Sequence, residues 1–316
     1  MTEQFKKSAQ QRFATGLLLA IVGSIAFSGK AIIVKLAYRY GVDAVTLIMY
    51  RMLFALPIFA VMAWWSSRGK EALTCNDWLG ILGLGFTGYY LASYLDFAGL
   101  AYISAALERL ILYLNPTLVM ILGWLLYKKR MTSRQIGAMA LSYAGILLVF
   151  GHEISIQSIS ATTMTSNNSN TAWGALLVFG SAVSYAIYLS YSGEMVKRLG
   201  SLRLVGLATT VACLLCIAQF AVLRPLSAMV VAPQVLWLSL LNATLCTALP
   251  VLAVMMAIER IGAPLTAQTG MVGPMSTILM GVFILGEPLN LWIIAGTVLV
   301  LAGVYMVSRS RPVAMD

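Results

Sequence analysis

Charge is what this 316-residue sequence has least of: Asp, Glu, Lys and Arg together make up 10% of it, against roughly a quarter in soluble domains. Hydrophobic residues reach 60% and the mean hydropathy is +0.87, so the chain reads as an integral membrane protein. Histidine is almost missing. His152 stands alone in what reads as a polar connection, where solvation is the simple account. The four cysteines, Cys75, Cys213, Cys216 and Cys246, are scattered. Cys213 and Cys216 form a CxxC with no His or carboxylate beside it, which reads as small packing residues rather than a metal or redox site. No nucleophile, base and metal-ligand set converges anywhere, which argues against an enzyme and implies no cofactor and no metal. The stretch Gly23 to Ala31 has one residue too many between its glycines for a phosphate loop, and Ala31 where Ser or Thr is needed.

Long apolar runs are what the sequence does have. Windows of about the 20 residues that cross a bilayer run over 16–37, 45–65, 78–101, 105–127, 136–150, 173–195, 204–223, 235–257, 263–285 and 291–307. They predict an all-α integral membrane fold of ten transmembrane helices, five in each half. All seven tryptophans fall near window ends, where an interfacial belt places them. Lys6, Lys7 and Arg12 before an apolar run imitate a signal peptide. That run is long, and it takes part in the internal repeat, so it is expected to be the first span.

The repeat is visible in helix-perturbing residues. Gly16 recurs as Gly174, Pro116 as Pro274, Gly123 as Gly281 and Gly145 as Gly303, and 174 less 16, 274 less 116, 281 less 123 and 303 less 145 all equal 158. A constant offset over four pairs indicates a duplicated bundle, with residues 16–150 as the first repeat, 151–171 as an external polar linker rich in Ser, Thr and Asn, and 172–307 as the second. The Asn167-Asn168-Ser169 sequon in that linker carries little weight.

Five spans per repeat is an odd number, so the second repeat enters the membrane from the opposite side and the pair is inverted. The positive-inside rule sets the orientation. With the N-terminus cytoplasmic, that side holds Lys6, Lys7, Arg12, Arg68, Lys70, Lys128, Lys129, Arg130, Arg134, Lys197, Arg198, Arg203, Arg260, Arg309 and Arg311, and the other holds only Arg39 and Arg224. Fifteen against two places both termini inside; the remaining cations, Lys30, Lys35, Arg51 and Arg109, lie within or at the edge of spans. The net charge of +10 thus belongs to cytoplasmic loops facing anionic lipid, and no nucleic acid is implied.

Several segments are family-like. In the second half these are Thr247-Ala248-Leu249-Pro250, Ala257-Ile258-Glu259-Arg260-Ile261-Gly262-Ala263, Gly273-Pro274, Leu285-Gly286-Glu287-Pro288-Leu289 and Leu301-Ala302-Gly303-Val304. In the first they are Lys35-Leu36, Arg51-Met52-Leu53, Tyr102-Ile103-Ser104-Ala105, Asn115-Pro116-Thr117 and Tyr143-Ala144-Gly145. Their order and spacing, from about Gly16 to Val307, resemble the EamA family of the drug/metabolite transporter superfamily, ten-helix carriers built from two five-helix repeats. The chain departs from many relatives by having Lys128-Lys129 where Gly-Glu closes the fourth helix, a difference the inverted topology accounts for. The resemblance implies carrier-type movement of small metabolites, commonly export, without ATP hydrolysis.

Ionisable groups inside a bilayer are functional candidates by default. At about 1.5 Å per helical residue, Lys30, Arg51 and Asp96 fall roughly 5 to 10 Å outward of their span midpoints, with Glu108 and Arg109 further out. Their counterparts 158 residues on are Tyr188, Thr209, Val254, Thr266 and Ala267, none charged. The charged layer is therefore one-sided, and Lys30 or Arg109 is expected to face Asp96 or Glu108 as an outer gate or a polar cavity end. Arg51, Glu108 and Arg109 are near enough to an interface to snorkel instead. A buried carboxylate leaves proton coupling open. Pro116 and Pro274 are expected near the middles of equivalent helices, bending them at the midplane. Ser181, Ser184, Tyr185, Tyr188, Asn242 and Thr247 either line the cavity or stitch helices together. The expected function is a secondary carrier in the plasma membrane, the inner membrane of a bacterium, exporting small metabolites by alternating access; the alternative is a lipid flippase-like protein or a non-transporting membrane subunit.

Overall fold

The computed structural model describes residues 2–127, 132–160, 168–261, 266, 269 and 272–309, and among them every regular element is helical. In order they are α1 (Thr2–Tyr38), α2 (Ala44–Ser67), α3 (Cys75–Leu84), a π-helical turn (Gly85–Leu91), α4 (Ala92–Leu100), α5 (Ala105–Leu112), α6 (Asn115–Tyr127), α7 (Ser133–Ser160), α8 (Asn168–Leu199) and α9 (Ser201–Leu223). A 3-10 turn (Leu226–Met229) leads to α10 (Pro233–Ala243), a second π turn (Thr244–Ala248), α11 (Leu249–Ile261), α12 (Val272–Met280), a third π turn (Gly281–Leu285) and α13 (Leu291–Arg309).

Short polar side chains start the helices. Asp43 accepts from the amides of Val45 and Thr46 at 3.0 and 3.3 Å, Thr74 and Asp77 form a reciprocal box at the start of α3, and Ser104 accepts from the Leu107 amide at 3.0 Å. Each satisfies a backbone donor that the first helical turn leaves free.

Six described helical stretches are long and apolar enough to cross a membrane: Gln11–Tyr38, Ala44–Ser67, Ala105–Leu125, Asn170–Ser192, Ser201–Leu223 and Pro233–Val254. Ile136–His152, Met275–Leu285 and Leu291–Gly303 are apolar but shorter. All seven tryptophans are at least 45% exposed, as side chains meeting the membrane interface would be.

Three expectations need correction. His152 does not sit in a polar loop: α7 carries through it to Ser160, and its ring stacks on Trp292 at 5.7 Å. The segment 151–171 is accordingly helical at both ends, up to Ser160 and from Asn168. Pro116 is not mid-helix but the second residue of α6, after a break at Tyr113 and Leu114; there its missing N–H is one the helix start leaves unpaired anyway. Pro274 lies in Val272–Met280, and residues 270 and 271 just before that stretch are outside the described ones. The Lys128 to Met131 turn, Asn167 of the sequon, Gly262, Ala263, Ala267 and Arg311 lie outside the described residues.

The two halves interleave through antiparallel pairs. Along α8, Ser181 donates to the carbonyl of Ala92, Ser184 to that of Thr87, and Arg198 pairs with Asp77 at 2.8 Å, so rising numbers on one partner meet falling numbers on the other. Gly16, Gly23 and Gly29 of α1 likewise meet Ile261, Val254 and Cys246. Arg224 pairs with Asp43 at 3.1 Å while Arg203 donates to Ser67, joining α9 to α2 end to start. Gly145 and Gly303 join α7 to α13.

These contacts explain the glycine echo. A Cβ on Gly145 would meet the Gly296 carbonyl at 2.6 Å, and one on Gly303 the Ala138 carbonyl at 2.6 Å; Ala138 and Gly296 are themselves 158 apart. Gly16 rests on Arg260 and Ile261, and Gly174 on Tyr102 and Ile103, the same two positions shifted by 158. Small residues here let backbones approach closely, as helix packing in lipid favours. Gly123 faces open space and Gly281 only Glu287, so that pair marks no crossing. Subtracting 158 from the π turn Thr244–Ala248 gives 86–90, inside the π turn Gly85–Leu91.

Candidate functional site

The five charged residues singled out above are brought together in the interior, on α1, α2, α4 and α5. Lys30 Nζ lies 2.5 Å from Asp96 Oδ2 and 3.5 Å from Glu108 Oε1. Arg109 donates through Nε to the Thr277 hydroxyl at 2.9 Å, and Arg51 through Nε to the Thr247 hydroxyl at 3.0 Å. Both guanidinium groups also lie over rings, Arg109 over Phe27 at 5.2 Å and Arg51 over Phe97 at 5.1 Å. That geometry suits a weakly hydrated planar cation held away from water.

All five are at most 6% exposed, and Glu108 is fully covered. Snorkelling by Arg51, Glu108 and Arg109 is therefore corrected. Long side chains reach the interface only when their helix faces lipid, whereas these face neighbouring helices and are held there by Lys30, Thr247 and Thr277. The locus is incompletely paired: Arg51 Nη1, Asp96 Oδ1 and both Glu108 carboxylate oxygens are buried without a hydrogen-bond partner. Burying such groups costs several kcal/mol each if nothing else compensates.

The polar residues proposed as lining divide. Ser181 and Ser184 are spent on carbonyls of the α3–α4 rod and stitch helices together. Thr247 accepts from Arg51 and donates to the Asn242 carbonyl at 2.8 Å, closing the π turn. Asn242 is fully buried with both amide atoms unpartnered. Tyr185 and Tyr188 stack at 5.4 Å, and Tyr188 meets Tyr89 edge-on with the two hydroxyls 3.3 Å apart.

Tyr89 escaped sequence reading, although a signal existed: it lies 158 before Thr247, as Phe27 lies 158 before Tyr185. The set Phe27, Lys30, Arg51 and Thr247 thus maps onto Tyr185, Tyr188, Thr209 and Tyr89. One end of the molecule carries a charged cluster where the equivalent place carries three tyrosines. Thr277 and Phe27 gave no signal, being ordinary residues of apolar helices.

A cavity of about 350 Å³ lies beyond the charged cluster, lined by Lys35, Tyr38, Arg39, Leu100, Ala101, Leu285 and Glu287. Lys35 and Leu100 sit four to five residues past Lys30 and Asp96 along their helices, so this vestibule opens one turn away from the ion pair. Glu287 organises it by pairing with Lys35 at 3.5 Å and accepting from the Ala105 amide at 3.0 Å, while Arg39 donates to the Leu285 carbonyl at 2.9 Å. Among the described residues no three His, Cys, Asp or Glu side chains converge as metal ligands. Cys213 and Cys216 pack in the core between α2 and α9, with the Cys213 thiol 3.7 Å from the Met52 sulfur.

A chain whose described residues are helical in every regular element, with six membrane-length apolar helices among them, interleaved halves and a buried charged locus, is a multi-pass membrane protein of the kind that handles small solutes. Residues 14–151 and again 172–309 match the EamA-like transporter family, and the chain belongs to that family, within the drug/metabolite transporter superfamily. It is 27% identical over 293 residues to an uncharacterized transporter, YcbK, of Bacillus subtilis, covering 90% of each chain. An uncharacterized transporter of Archaeoglobus fulgidus is 23% identical, with 94% of this chain and 98% of that one covered. A WAT1-related protein of Arabidopsis thaliana is 27% identical over 91% of this chain and 87% of its own. One solved crystal structure superposes with a TM-score of 0.61 at 14% identity over 93% of this chain and 98% of that chain, which shows a shared fold.

Proposed function

We propose that the protein is a secondary carrier that exports small metabolites by alternating access, built from ten spans in two inverted five-helix repeats. The antiparallel pairing of α1 with α10 and α11, of α3 and α4 with α8, of α2 with α9 and of α7 with α13 supports the inversion. The charge count supports cytoplasmic termini in a plasma membrane, the inner membrane of a bacterium. Export is the direction that the family resemblance favours.

The observation that carries the reading is the Lys30, Asp96 and Glu108 cluster, buried between helices beneath an open vestibule. One lysine serves two carboxylates, with Arg109 adjacent and turned toward Thr277. Lys30 holds the outer end closed through Asp96, and protonation there releases it, coupling export to proton entry.

The test is flux from proteoliposomes, with and without a pH gradient, of a solute found by screening what overproducing cells release. Wild-type protein should show gradient-dependent flux, and Lys30→Met and Asp96→Asn should abolish the dependence while remaining inserted. Undiminished coupled flux in both variants would overturn the proposed role of the cluster. Lipid scrambling without solute flux would favour the flippase reading.

A further inference from the structure

We infer that the seam between α2 and α10 binds a carboxylate group of the transported solute, through Arg51, Asn242 and Ser239. This rests on the carrier reading above and names the chemistry that the carrier would select.

Ser239 and Asn242 are three residues apart on α10, on one helical face, and α10 packs against α1 and α2. Both are 0% exposed, yet the Ser239 hydroxyl and both amide atoms of Asn242 have no hydrogen-bond partner. Arg51 stands across the seam on α2. It spends Nε on Thr247, whose hydroxyl donates to the Asn242 backbone, and it keeps Nη1 buried and unpartnered. Three donors are thus held in reserve: a guanidinium N–H, an amide N–H and a hydroxyl. An unsatisfied buried donor costs about 1 to 3 kcal/mol, so such a set is unfavourable unless something occupies it for part of the working cycle.

The duplication supplies an internal control. The positions 158 before Ser239 and Asn242 are Ile81 and Leu84, which are buried in an ordinary apolar cluster with Tyr188, Leu204 and Ala208. The position 158 after Arg51 is Thr209. The fold is therefore content with Ile and Leu at these two places, and packing does not require the polar residues of the second repeat.

Charge selects the ligand. Among the described buried charged groups on α1, α2, α4 and α5 there are three cations, Lys30, Arg51 and Arg109, and two carboxylates, Asp96 and Glu108, which leaves an excess of one positive charge when both carboxylates are ionised. A single carboxylate neutralises it, and its two oxygens have the lone pairs to accept from a guanidinium N–H, an amide N–H and a hydroxyl. A doubly charged phosphate would overcompensate the site and leave oxygens without donors.

The test uses purified full-length protein and a small set of aromatic and aliphatic monocarboxylates, each paired with its primary amide and its phosphonate. Thermal stabilisation in detergent is measured for wild type, for Arg51→Gln, and for the double variant Ser239→Ile with Asn242→Leu, which installs the residues that the first repeat already tolerates. Carboxylates should stabilise wild type in preference to their amides and phosphonates. Affinity should fall about ten- to a hundredfold in both variants, the loss expected for a charge-assisted hydrogen bond. The double variant should melt no lower than wild type without ligand, which separates binding from folding. Equal or better stabilisation by amides or phosphonates, unchanged affinity in the variants, or no response of wild type to any carboxylate would overturn the inference. Flux of the binding carboxylate is then measured in proteoliposomes. Binding without flux would leave the site standing and defeat the carrier reading, whereas flux of neutral solutes alone would do the reverse.

Discussion

Replacing Lys30 by methionine should destabilise the protein more than neutralising Asp96, although each removes one side of the same 2.5 Å contact. At an effective dielectric of about 20, Coulomb attraction is about 7 kcal/mol at that separation and about 5 kcal/mol at the 3.5 Å between Lys30 and Glu108. Most of this is offset by the cost of bringing the ions out of water, so the assembled cluster contributes little net stability. The single variants differ in what they strand. Asp96→Asn leaves Lys30 with Glu108 as a ready partner and should cost about 1 to 2 kcal/mol. Lys30→Met leaves two buried carboxylates facing each other and should cost about 3 to 5 kcal/mol, the range for an uncompensated buried charge. The double variant should cost less than the sum of the singles by about 2 kcal/mol, because the repulsion exposed by losing Lys30 disappears with Asp96. Unfolding free energies from denaturant titration in mixed micelles measure all four corners of the cycle. Additivity within about 0.5 kcal/mol, or a larger penalty for Asp96→Asn than for Lys30→Met, would refute the shared-lysine arrangement.

Gly145→Ala and Gly303→Ala should each lower stability by about 1 to 3 kcal/mol, since the added carbon meets a backbone carbonyl that cannot turn aside; Gly123→Ala, facing open space, should be neutral or stabilising in the same melting assay. Pro116→Ala should change stability by less than about 1 kcal/mol, because proline is tolerated in the first helical turn, and a gain of about 3 kcal/mol, the penalty an interior proline imposes on a helix, would contradict its placement at the start of α6. Asp43 lies between spans; burial pulls its carboxyl upward, but the Thr46 hydroxyl and amide, Arg224 and the Val45 amide hold it below the ordinary 3.8. Its folded value being depressed, the stability it contributes is complete above about pH 4 and is lost as pH falls through the lower folded value. The melting difference between wild type and Asp43→Asn should therefore be flat near neutrality and shrink in acid, while Asp43→Ala, which also removes the cap, should cost a further 0.5 to 2 kcal/mol or about that.

How much the sequence discloses follows from what each feature requires. Apolar windows and the 158-residue echo were legible because spanning helices and close crossings restrict composition at every position involved, and Gly16, Gly174, Gly145 and Gly303 now have named neighbours. The charged residues were legible as a group because ionisable side chains are rare in such a chain. Their depth was not. Counting residues along a span gives height in the membrane but not the direction a side chain faces, so Glu108 and Arg109 read as near an interface although α5 turns them fully inward. The break at Tyr113 and Leu114 was equally hidden, since a proline fixes where a helix is disturbed without saying whether it bends or restarts. Thr277 and Phe27 were invisible for a simpler reason: hydroxyl and aromatic side chains occur throughout these helices, and only a neighbour in space makes one a partner.

The two equivalent loci use unlike forces, and this bears on how the halves exchange states. If alternating access swaps the arrangements of the two repeats, opening the outer end separates an ion pair, whereas opening the inner end separates tyrosines in stacked and edge-on contact. The ionic contact depends steeply on protonation and on any solute charge that enters the locus, because the interaction is electrostatic and buried. Ring contacts of about 0.5 to 1.5 kcal/mol each are almost indifferent to both. In the proposed carrier a pH gradient or an anionic solute would therefore act on one end only, and direction would come from the chemistry of the repeats rather than from their duplicated geometry. Exchanging the two sets, with Lys30→Tyr and Tyr188→Lys in one protein, should move the pH sensitivity of flux from the outer to the inner face. Sensitivity that stays at the outer face would show that the gating bias resides elsewhere in the repeats.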